Sequence, residues 1–365
     1  MTPRPLNLLG VGAGLAAAGV GAALGLAAER WTLGRSRGGG VAEPFGSLRG
    51  TPSTVMADDG TPLHVEVDEP ADHGGGDDRG DDGQAEVTVV FSHGFCLNLD
   101  AWHYQRQSLR GRYRLVLWDQ RGHGRSGMGP VGSCTVDQCG RDLGRVLDAA
   151  AATGPIVLVG HSMGGMTQMA LAADRPQLVD ERVVGVAFIA TSAGGLADVH
   201  WGLRDMLGGV AHRIGPVTLA GLARTPRLID RTRRIASDLE QALVKYYSYS
   251  SPVPASLVRF SAAMIAATPI EVVADFMPTF DLHDKRAALA TLDGIEALVL
   301  SGENDLLTPP EHSDEIVRRL PVAERVVVPD AGHLVMLERP DEVNLHLEEL
   351  LVRARRSLQR VLPEQ

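Results

Sequence analysis

Cysteine is scarce in this chain of 365 residues, which contains only Cys96, Cys134 and Cys139. An odd number of cysteines without Cys-x-x-Cys spacing gives neither a disulfide framework nor a structural zinc site. Scarce cysteine also favours a reducing compartment. The length and the 44% content of hydrophobic residues, by contrast, allow one large domain with a substantial core.

Lysine is nearly absent as well, with Lys245 and Lys285 as the only two, and arginine does not cluster with aromatic residues. The chain therefore lacks the basic surface that binding of a nucleic acid needs. No histidine pair has metal-ligand spacing such as His-Glu-x-x-His, and no Gly-x-Gly-x-x-Gly motif follows a predicted strand. The sequence predicts no metal, no cofactor and no nucleic-acid partner.

Negative charge is concentrated in one stretch. The formal net charge is −10, but eight acidic residues and one arginine lie between Asp68 and Glu86, so the rest of the chain is close to neutral. This stretch is glycine-rich and like-charged, which is typical of a solvated loop. We expect an acidic loop over residues 68–86 rather than a binding site for a partner.

Residues 6–28 form an apolar run of 23 residues with a single polar side chain. As a helix the run would be roughly 34 Å long, enough to cross a hydrocarbon core of about 30 Å. It is longer than the apolar part of a cleaved signal peptide, the competing interpretation. Arg30, Arg35 and Arg37 follow the run and Arg4 alone precedes it, which favours a cytoplasmic domain after the run, with export as the alternative. We therefore predict a single-pass N-terminal transmembrane helix and a membrane location.

Short apolar runs then alternate with amphipathic, helix-like stretches. This alternation predicts an α/β fold with a mostly parallel central sheet and helices on both faces. The first two runs are joined without a helix, and the turn sequence "ADDGT" precedes the first, so we expect the sheet to begin antiparallel. The predicted strands are 63–67, 87–91, 114–118, 156–160, 183–190, 296–301 and 325–329.

Between about residues 195 and 285 the alternation is lost, and apolar residues recur at helical spacing between prolines. We expect a helical cap inserted over the carboxyl ends of the strands, where open α/β sheets bind ligands. The predicted organisation is an N-terminal segment and linker over 1–46 and one α/β domain over 47–365. Four aromatic residues of this stretch are candidates to line an apolar acyl pocket under the cap, with simple packing in the core as the alternative for each: Trp201, Phe260, Phe276 and Phe280.

The stretch "VLVGHSMGGM" at 158–167 ends an apolar run with a serine between small residues. Gly160 and Gly164 lie two positions either side of Ser162, which lets the preceding strand and the following helix approach closely. Ser162 is therefore predicted to be a nucleophile on a tight strand-to-helix turn, rather than an incidental serine in a glycine-rich turn.

A serine nucleophile needs a base, and the base needs an acid that orients it. "SGENDLLTPP" and "VVVPDAGHLVMLERP" each follow a late predicted strand, in the order acid then base. We assign Asp305 as the acid and His333 as the base. Glu303 and Asp330 are rival acids, but Glu303 directly follows Gly302 in the turn, and Asp330 is too close in sequence to face the His333 ring easily.

The oxyanion of a tetrahedral intermediate needs two hydrogen-bond donors. "FSHGFC" ends an earlier predicted strand, and the backbone N–H of Phe95 can pair there with that of Met163. We predict that these two N–H groups form an oxyanion hole. His93, His123 and His161 are predicted to be structural, because they lie beside backbone features rather than in the position of a base.

These motifs resemble the α/β-hydrolase superfamily over roughly residues 55–355. Within it the chain is most similar to the cofactor-free haloperoxidase and perhydrolase esterases, and the resemblance implies the α/β-hydrolase fold and ester hydrolysis, with peracid formation as a side activity. Ser162 is unlike the aspartate that epoxide hydrolases and haloalkane dehalogenases have at the elbow. The matching stretches are "HGF" at 93–95, "DQRGHGRS" at 119–126, "GHSMGG" at 160–165, "GENDLLTP" at 302–309 and "GHLVMLERP" at 332–340.

The sequence thus predicts a serine hydrolase that cleaves a small-molecule ester or a lipid through an acyl-enzyme. A monoacylglycerol or lysophospholipid lipase, or an acyltransferase, at the membrane is the alternative, because such enzymes share "GHSMGG" or the same acyl intermediate. The intact Ser162, Asp305 and His333 argue against a binding protein on an inactive scaffold. The acyl chain and the oligomeric state stay open.

Overall fold

The structure is a computed structural model that describes residues 44–71, 87–196 and 241–361. At its centre is an eight-stranded sheet in the order β1-β2-β4-β3-β5-β6-β7-β8. The strands are β1 (Thr51–Met56), β2 (Pro62–Asp68), β3 (Thr88–Ser92), β4 (Arg114–Trp118), β5 (Ile156–His161), β6 (Val183–Ile189), β7 (Glu296–Gly302) and β8 (Glu324–Val328). The α-helices are α1 (His103–Leu109), α2 (Val136–Ala150), α3 (Met163–Asp174), α4 (Pro176–Arg182), α5 (Ala255–Ala267), α6 (Ile270–Leu282), α7 (Pro310–Arg319), α8 (Val335–Glu338) and α9 (Pro340–Val361).

The pairing of the strands confirms the predicted α/β architecture. Strands β3 to β8 pair in parallel, whereas β1 and β2 begin the sheet antiparallel. Every residue of β3 and of β5 is buried, as expected for parallel strands with helices on both faces. The sequence pattern did not predict strand β1, because all of its residues except Val55 are exposed and its sequence shows no apolar alternation.

Two hydrophobic clusters cover the two faces of the sheet. The alternation along β3 separates them: Val89 and Phe91 belong to one cluster, and Val90 to the other. The first contains Trp102 and the second Trp118, both fully buried. Burial of a large apolar side chain contributes about 1.5–3 kcal/mol, so these clusters fix the sheet that carries the site.

The chain between β6 and β7 contains the predicted helical insertion. The structure describes a helix over residues 241–248, followed by α5 and α6. Pro269 separates α5 from α6, because proline cannot continue the preceding helix, and the two helices meet at 90°. Residues 197–240 of the predicted cap lie outside the described residues.

The prediction of a transmembrane helix and a membrane location is wrong for the chain that the structure describes. No single helix there is long and apolar enough to cross a membrane. Helices α5 and α6 reach the length and apolar composition of a membrane span only when they are taken together. Each has 13 residues, and at about 1.5 Å per residue such a helix is too short for a hydrocarbon core of about 30 Å. The predicted anchor, 6–28, lies outside the described residues, so nothing in the structure supports it or its cytoplasmic topology.

The predicted acidic loop begins inside the fold. Strand β2 extends to Asp68, whose carboxylate is buried and lies 2.7 Å from Nε of Arg106. Asp68 is therefore part of a buried ion pair rather than of a solvated loop. Residues 72–86, the rest of that loop after Ala71, lie outside the described residues.

Candidate active site

Ser162 lies between β5 and α3, with backbone angles φ 51° and ψ −119°. A positive φ is uncommon for a residue with a β-carbon, so the turn is strained. The Ser162 N–H donates to the Ile189 carbonyl at 3.0 Å, and the Ser162 carbonyl accepts the Gly165 N–H and the Thr191 hydroxyl. These bonds hold the serine at the carboxyl edge of the sheet.

The glycines around Ser162 are required by space. A β-carbon at Gly160 would lie 2.6 Å from the backbone carbonyl carbon of Gly164. A β-carbon at Gly164 would lie 2.0 Å from the carbonyl oxygen of Ser92, at the end of β3. The spacing predicted from the sequence therefore follows from the close packing of α3 against β5 and β3.

The loop after β3 lies directly against the elbow. A β-carbon at Gly94 would lie 3.2 Å from Cβ of Ser162, and the next residue, Phe95, packs against the cluster that contains Met163. In the described chain the backbone N–H groups of Phe95 and Met163 donate to no protein group. Both are therefore available to an acceptor, and the first turn of α3 adds the positive end of a helix dipole.

The predicted acid and base are in contact. Nδ1 of His333 lies 2.8 Å from Oδ2 and 3.0 Å from Oδ1 of Asp305. Asp305 is 2% exposed, and its carboxylate also accepts the N–H groups of Leu307 and Thr308 and the Thr308 hydroxyl. These donors fix the carboxylate beside Nδ1 of His333, where it can accept an Nδ1–H; in that tautomer Nε2 is the nitrogen with a free lone pair.

The rival acids point elsewhere. Glu303 is exposed, and its carboxylate accepts the backbone N–H of Asp330 at 3.2 Å. Asp330 is itself exposed, on a left-handed turn with φ 49°. Among the described contacts, neither carboxylate bonds to the ring of His333.

His333 approaches the elbow through the residue before the serine. Nε2 of His161 donates to the His333 carbonyl at 2.9 Å, and the two ring centroids are 4.8 Å apart. In the described part of the chain no hydrogen bond joins Oγ of Ser162 to Nε2 of His333. Such bonds are often long before substrate binds. The structure thus brings the three predicted residues to one edge of the sheet, with acid and base in contact.

Three further histidines near the serine are buried. Burial lowers the pKa of His93 to about 4 and that of His123 to about 3, and it lowers the pKa of His161 well below its usual value. Nε2 of His93 accepts the Gln120 N–H, and Nε2 of His123 accepts the Cys96 N–H. The neutral rings of His93 and His123 therefore hold the backbone of two loops beside the site.

The sequence profile of the alpha/beta hydrolase fold family matches residues 87–340, more than half of the chain. The chain belongs to the alpha/beta hydrolase fold family. The resemblance inferred from the motifs is thereby confirmed, together with the fold that it implied.

Similarity to individual known proteins is moderate. The chain is 26% identical over 262 residues to the dihydrolipoyllysine-residue acetyltransferase component of an acetoin cleaving system from Pseudomonas putida, a match that spans 72% of this chain but only 62% of that protein. It is 28% identical over 269 residues to the sn-1-specific diacylglycerol lipase ABHD11 of Mus musculus, over 72% of this chain and 80% of the lipase. A bromoperoxidase structure from Bacillus anthracis shares the fold, with a TM-score of 0.59, 19% identity and coverage of 82% of this chain and 99% of that one. The family and the lipase relative support a hydrolase.

Sequence reasoning missed two hydroxyl groups at the site of this alpha/beta hydrolase. The Thr308 hydroxyl donates to Oδ2 of Asp305 and lies 3.4 Å from Nδ1 of His333. A threonine three residues after an aspartate is typical of a local turn, so this contact could have been predicted from the sequence. The Thr191 hydroxyl, just after β6, donates to the Ser162 carbonyl, and no motif marks it.

Helix α6 of the insertion packs over the loop that carries Phe95. The rings of Phe276 and Phe280 lie 5.6 and 5.1 Å from the Phe95 ring, and both belong to the cluster of Met163. The same helix is bound to the loop before α2, because the Asp275 carboxylate accepts the N–H groups of residues 132 and 134 at 3.1 Å. These aromatic rings therefore form an apolar wall beside the backbone N–H groups of Phe95 and Met163.

The other two aromatic residues predicted for the pocket do not join this wall. Phe260 stacks on Phe45 at 5.0 Å, in the first hydrophobic cluster. Phe260 therefore packs Phe45, near the first described residue, against α5 and does not contact Phe95. Trp201 lies outside the described residues.

One group of side chains in the described chain has the spacing of metal ligands: ligand atoms of Glu324, His346 and Glu349 lie within 4.8 Å of one another. Nη1 of Arg353 lies 2.8 Å from Glu324, and Nδ1 of His346 lies 2.8 Å from the same carboxylate. The group sits at the amino end of β8, the opposite edge of the sheet from Ser162. Because it lies away from Ser162, we assign it no part in the chemistry.

Proposed function

We propose that the protein is a serine hydrolase that cleaves carboxylic esters through an acyl-enzyme, with Ser162 as nucleophile, His333 as base and Asp305 as the acid. The observation that carries the proposal is the 2.8 Å contact between His333 and Asp305 beside the strained turn of Ser162. A carboxylate on Nδ1 selects the imidazole tautomer that can take a proton at Nε2.

The first half of the reaction forms the acyl-enzyme. Oγ of Ser162 attacks the ester carbonyl carbon while Nε2 of His333 takes the hydroxyl proton. Asp305 stabilises the imidazolium that results. The carbonyl π-electron pair moves to oxygen, and when the tetrahedral intermediate collapses, the C–O bond to the alcohol breaks and the alcohol leaves with the proton from His333.

The backbone N–H groups of Phe95 and Met163 are proposed to bind the oxyanion. Both lack a protein acceptor in the described chain, so they are prepared to donate to a charge that develops only in the intermediate. One such donor is worth about 10²- to 10³-fold in rate.

Water completes the cycle. His333 takes a proton from water, the hydroxide oxygen attacks the acyl carbonyl, and the collapse returns the proton to Oγ of Ser162 with release of the acid. Hydrogen peroxide in place of water would give a peracid. An alcohol would give acyl transfer, through the same intermediate.

The substrate is proposed to be an uncharged ester with an apolar acyl group, because Phe95, Phe276 and Phe280 pack together beside the oxyanion donors. A lipid ester is the second candidate. It is favoured by the similarity to the diacylglycerol lipase.

The proposal is tested with the full-length protein on a series of p-nitrophenyl esters of increasing acyl length and on a monoacylglycerol. We expect hydrolysis without added metal or cofactor. Ser162→Ala and His333→Ala should each lose most of this activity. The rate that remains should exceed the uncatalysed rate in water by about 10³-fold, because the oxyanion donors and substrate binding are still present. Full turnover by Ser162→Ala would refute the proposal. The monoacylglycerol rate relative to the short esters separates a lipase from an esterase.

A further inference from the structure

Glu338, at the end of α8, is a buried carboxylate whose partners are all neutral hydrogen-bond donors. It is 8% exposed. Oε1 accepts the Ser250 N–H, the Ser251 N–H and the Ser251 hydroxyl, and Oε2 accepts the Gly332 N–H at 2.7 Å. No arginine or lysine of the described chain forms an ion pair with it. A buried charge is costly unless its hydrogen bonds are complete, so this residue calls for an explanation.

The four donors come from two segments that meet at the base. Gly332 immediately precedes His333, whereas Ser250 and Ser251 lie within the insertion, between the helix over residues 241–248 and α5. On the other side of the base, the Leu334 N–H donates to the carbonyl of residue 248 at 2.9 Å. The backbone on both sides of His333 is therefore bound, directly or through Glu338, to residues 248–251.

The same segment reaches the loop of the acid. Nδ2 of Asn304 donates to the Ser250 hydroxyl at 2.9 Å, and the Asn304 N–H donates to the carbonyl of residue 331 at 2.9 Å. Asn304 directly precedes Asp305. Residues 248–251 thus contact both loops whose side chains form the acid–base pair.

A carboxylate is the side chain that suits this position. Its two oxygens can accept from all four donors, whereas a glutamine amide would place its NH₂ group against at least one N–H or O–H. The backbone of Gly332 packs closely against residues 248–251 and has little room to adjust, because a β-carbon at Gly332 would lie 2.8 Å from the carbonyl oxygen of Ser248. A buried donor left without an acceptor would therefore displace the loop that carries His333.

We propose that Glu338 is a positioning residue that sets His333 between Asp305 and Ser162, by binding the loop that carries His333 to residues 250 and 251 of the insertion. The proposal rests on the proposed function, in which His333 is the base. Glu338 touches neither substrate nor the reacting atoms, and it acts through the backbone of Gly332. Residues 248–251 of the insertion are thereby coupled to the reactivity of the serine.

The test compares the wild type with Glu338→Gln and, as a matched control, Glu342→Gln, an exposed glutamate four residues along the chain. Three quantities are measured on the full-length protein: the second-order rate of Ser162 labelling by a small fluorophosphonate, kcat and KM for a short p-nitrophenyl ester, and the Nδ1–H resonance of His333 in ¹⁵N-histidine-labelled protein. For Glu338→Gln we expect labelling and kcat to fall 10- to 100-fold, KM to change less than twofold, and the His333 resonance to shift or broaden. Glu342→Gln should match the wild type in all three.

Ser251→Ala keeps the proposal testable if Glu338→Gln does not fold, because it removes one donor without leaving another unpaired. It should lower the labelling rate two- to fivefold with KM unchanged. A purely structural Glu338 would lower the melting temperature while labelling and the His333 resonance stayed as in the wild type, and that result overturns the inference. Failure of the wild type itself to be labelled would instead overturn the proposed function, and the resonance would still report whether Glu338 positions the ring.

Discussion

At the scale of single residues, the choice of Asp305 as the acid partner of His333 depends most on contacts in the structure. Asp305, Glu303 and Asp330 all lie at the carboxyl ends of late strands. Only Asp305 among them has its carboxylate on the His333 ring, where it also accepts donors from its own turn. Glu303 is occupied by the backbone of Asp330.

Asp305→Asn should therefore lower kcat/KM by about 10³- to 10⁴-fold, because an amide no longer holds the proton of His333 on Nδ1. Steady-state hydrolysis of a p-nitrophenyl ester measures this. Asp330→Asn and Glu303→Gln are the matched controls and should stay within about threefold of the wild type, since neither carboxylate contacts the ring. A larger loss in either control than in Asp305→Asn would identify a different acid.

The candidate site residues that can be predicted from the sequence are those that a local pattern marks. The small residues around Ser162 and the strand-end positions of Asp305 and His333 can be read from short stretches. Glu338 could not be found this way, because its partners Ser250 and Ser251 lie 88 and 87 positions earlier in the chain. Hydrogen bonds between distant segments produce no periodic pattern in the sequence.

At the scale of elements, the buried strands were predictable and the positions of the inserted helices were not. Strands β3 to β7 are continuous apolar runs, because both of their faces are covered. Strand β1 is mostly exposed and has no long apolar run, so the sequence pattern does not predict it. Helix α6 could be predicted as a helix, but its place over Phe95 depends on tertiary contacts such as that between Asp275 and residue 134, 141 positions apart.

The wall formed by α6 predicts an effect on substrate selection. Phe280→Ala should move the preferred acyl length upward, because it opens space next to the Phe95 ring, which lies 5.1 Å away. Labelling of Ser162 by a small fluorophosphonate should change less than threefold. Phe260→Ala, which removes the same side chain from its stack on Phe45, is the control and should leave the acyl-length profile unaltered. Identical profiles for the two variants would show that Phe280 only packs the core.

At the scale of the whole molecule, buried neutral histidines tie stability to pH. Burial lowers the pKa of His93 and His283 to about 4 and that of His123 to about 3. The unfolded chain takes up protons near pH 6.5 that the folded chain refuses, so stability is full above that pH and is lost as the pH falls towards the folded pKa values. Each such histidine contributes a slope of up to about 1.4 kcal/mol per pH unit within that window.

His123→Asn isolates one of these groups. The amide keeps a donor for the Arg121 carbonyl, which Nδ1 of His123 contacts at 2.9 Å, and removes the titrating ring. The variant should be less stable, because the Cys96 N–H loses its acceptor. Urea unfolding at several pH values from 7 to 5 should show a shallower loss of stability, by up to about 1.4 kcal/mol per pH unit below pH 6. An unchanged slope would mean that His123 also titrates normally in the folded protein.

The central claim is that Ser162 is the nucleophile of an acyl-enzyme. The most direct measurement mixes the full-length protein with a p-nitrophenyl ester, quenches it in acid within the first turnover, and locates the acyl group by peptide mass spectrometry. The account predicts a burst of about one equivalent of p-nitrophenol and an acyl group on Ser162, with neither in Ser162→Ala. An acyl group on another residue, or a burst that survives in Ser162→Ala, would contradict it.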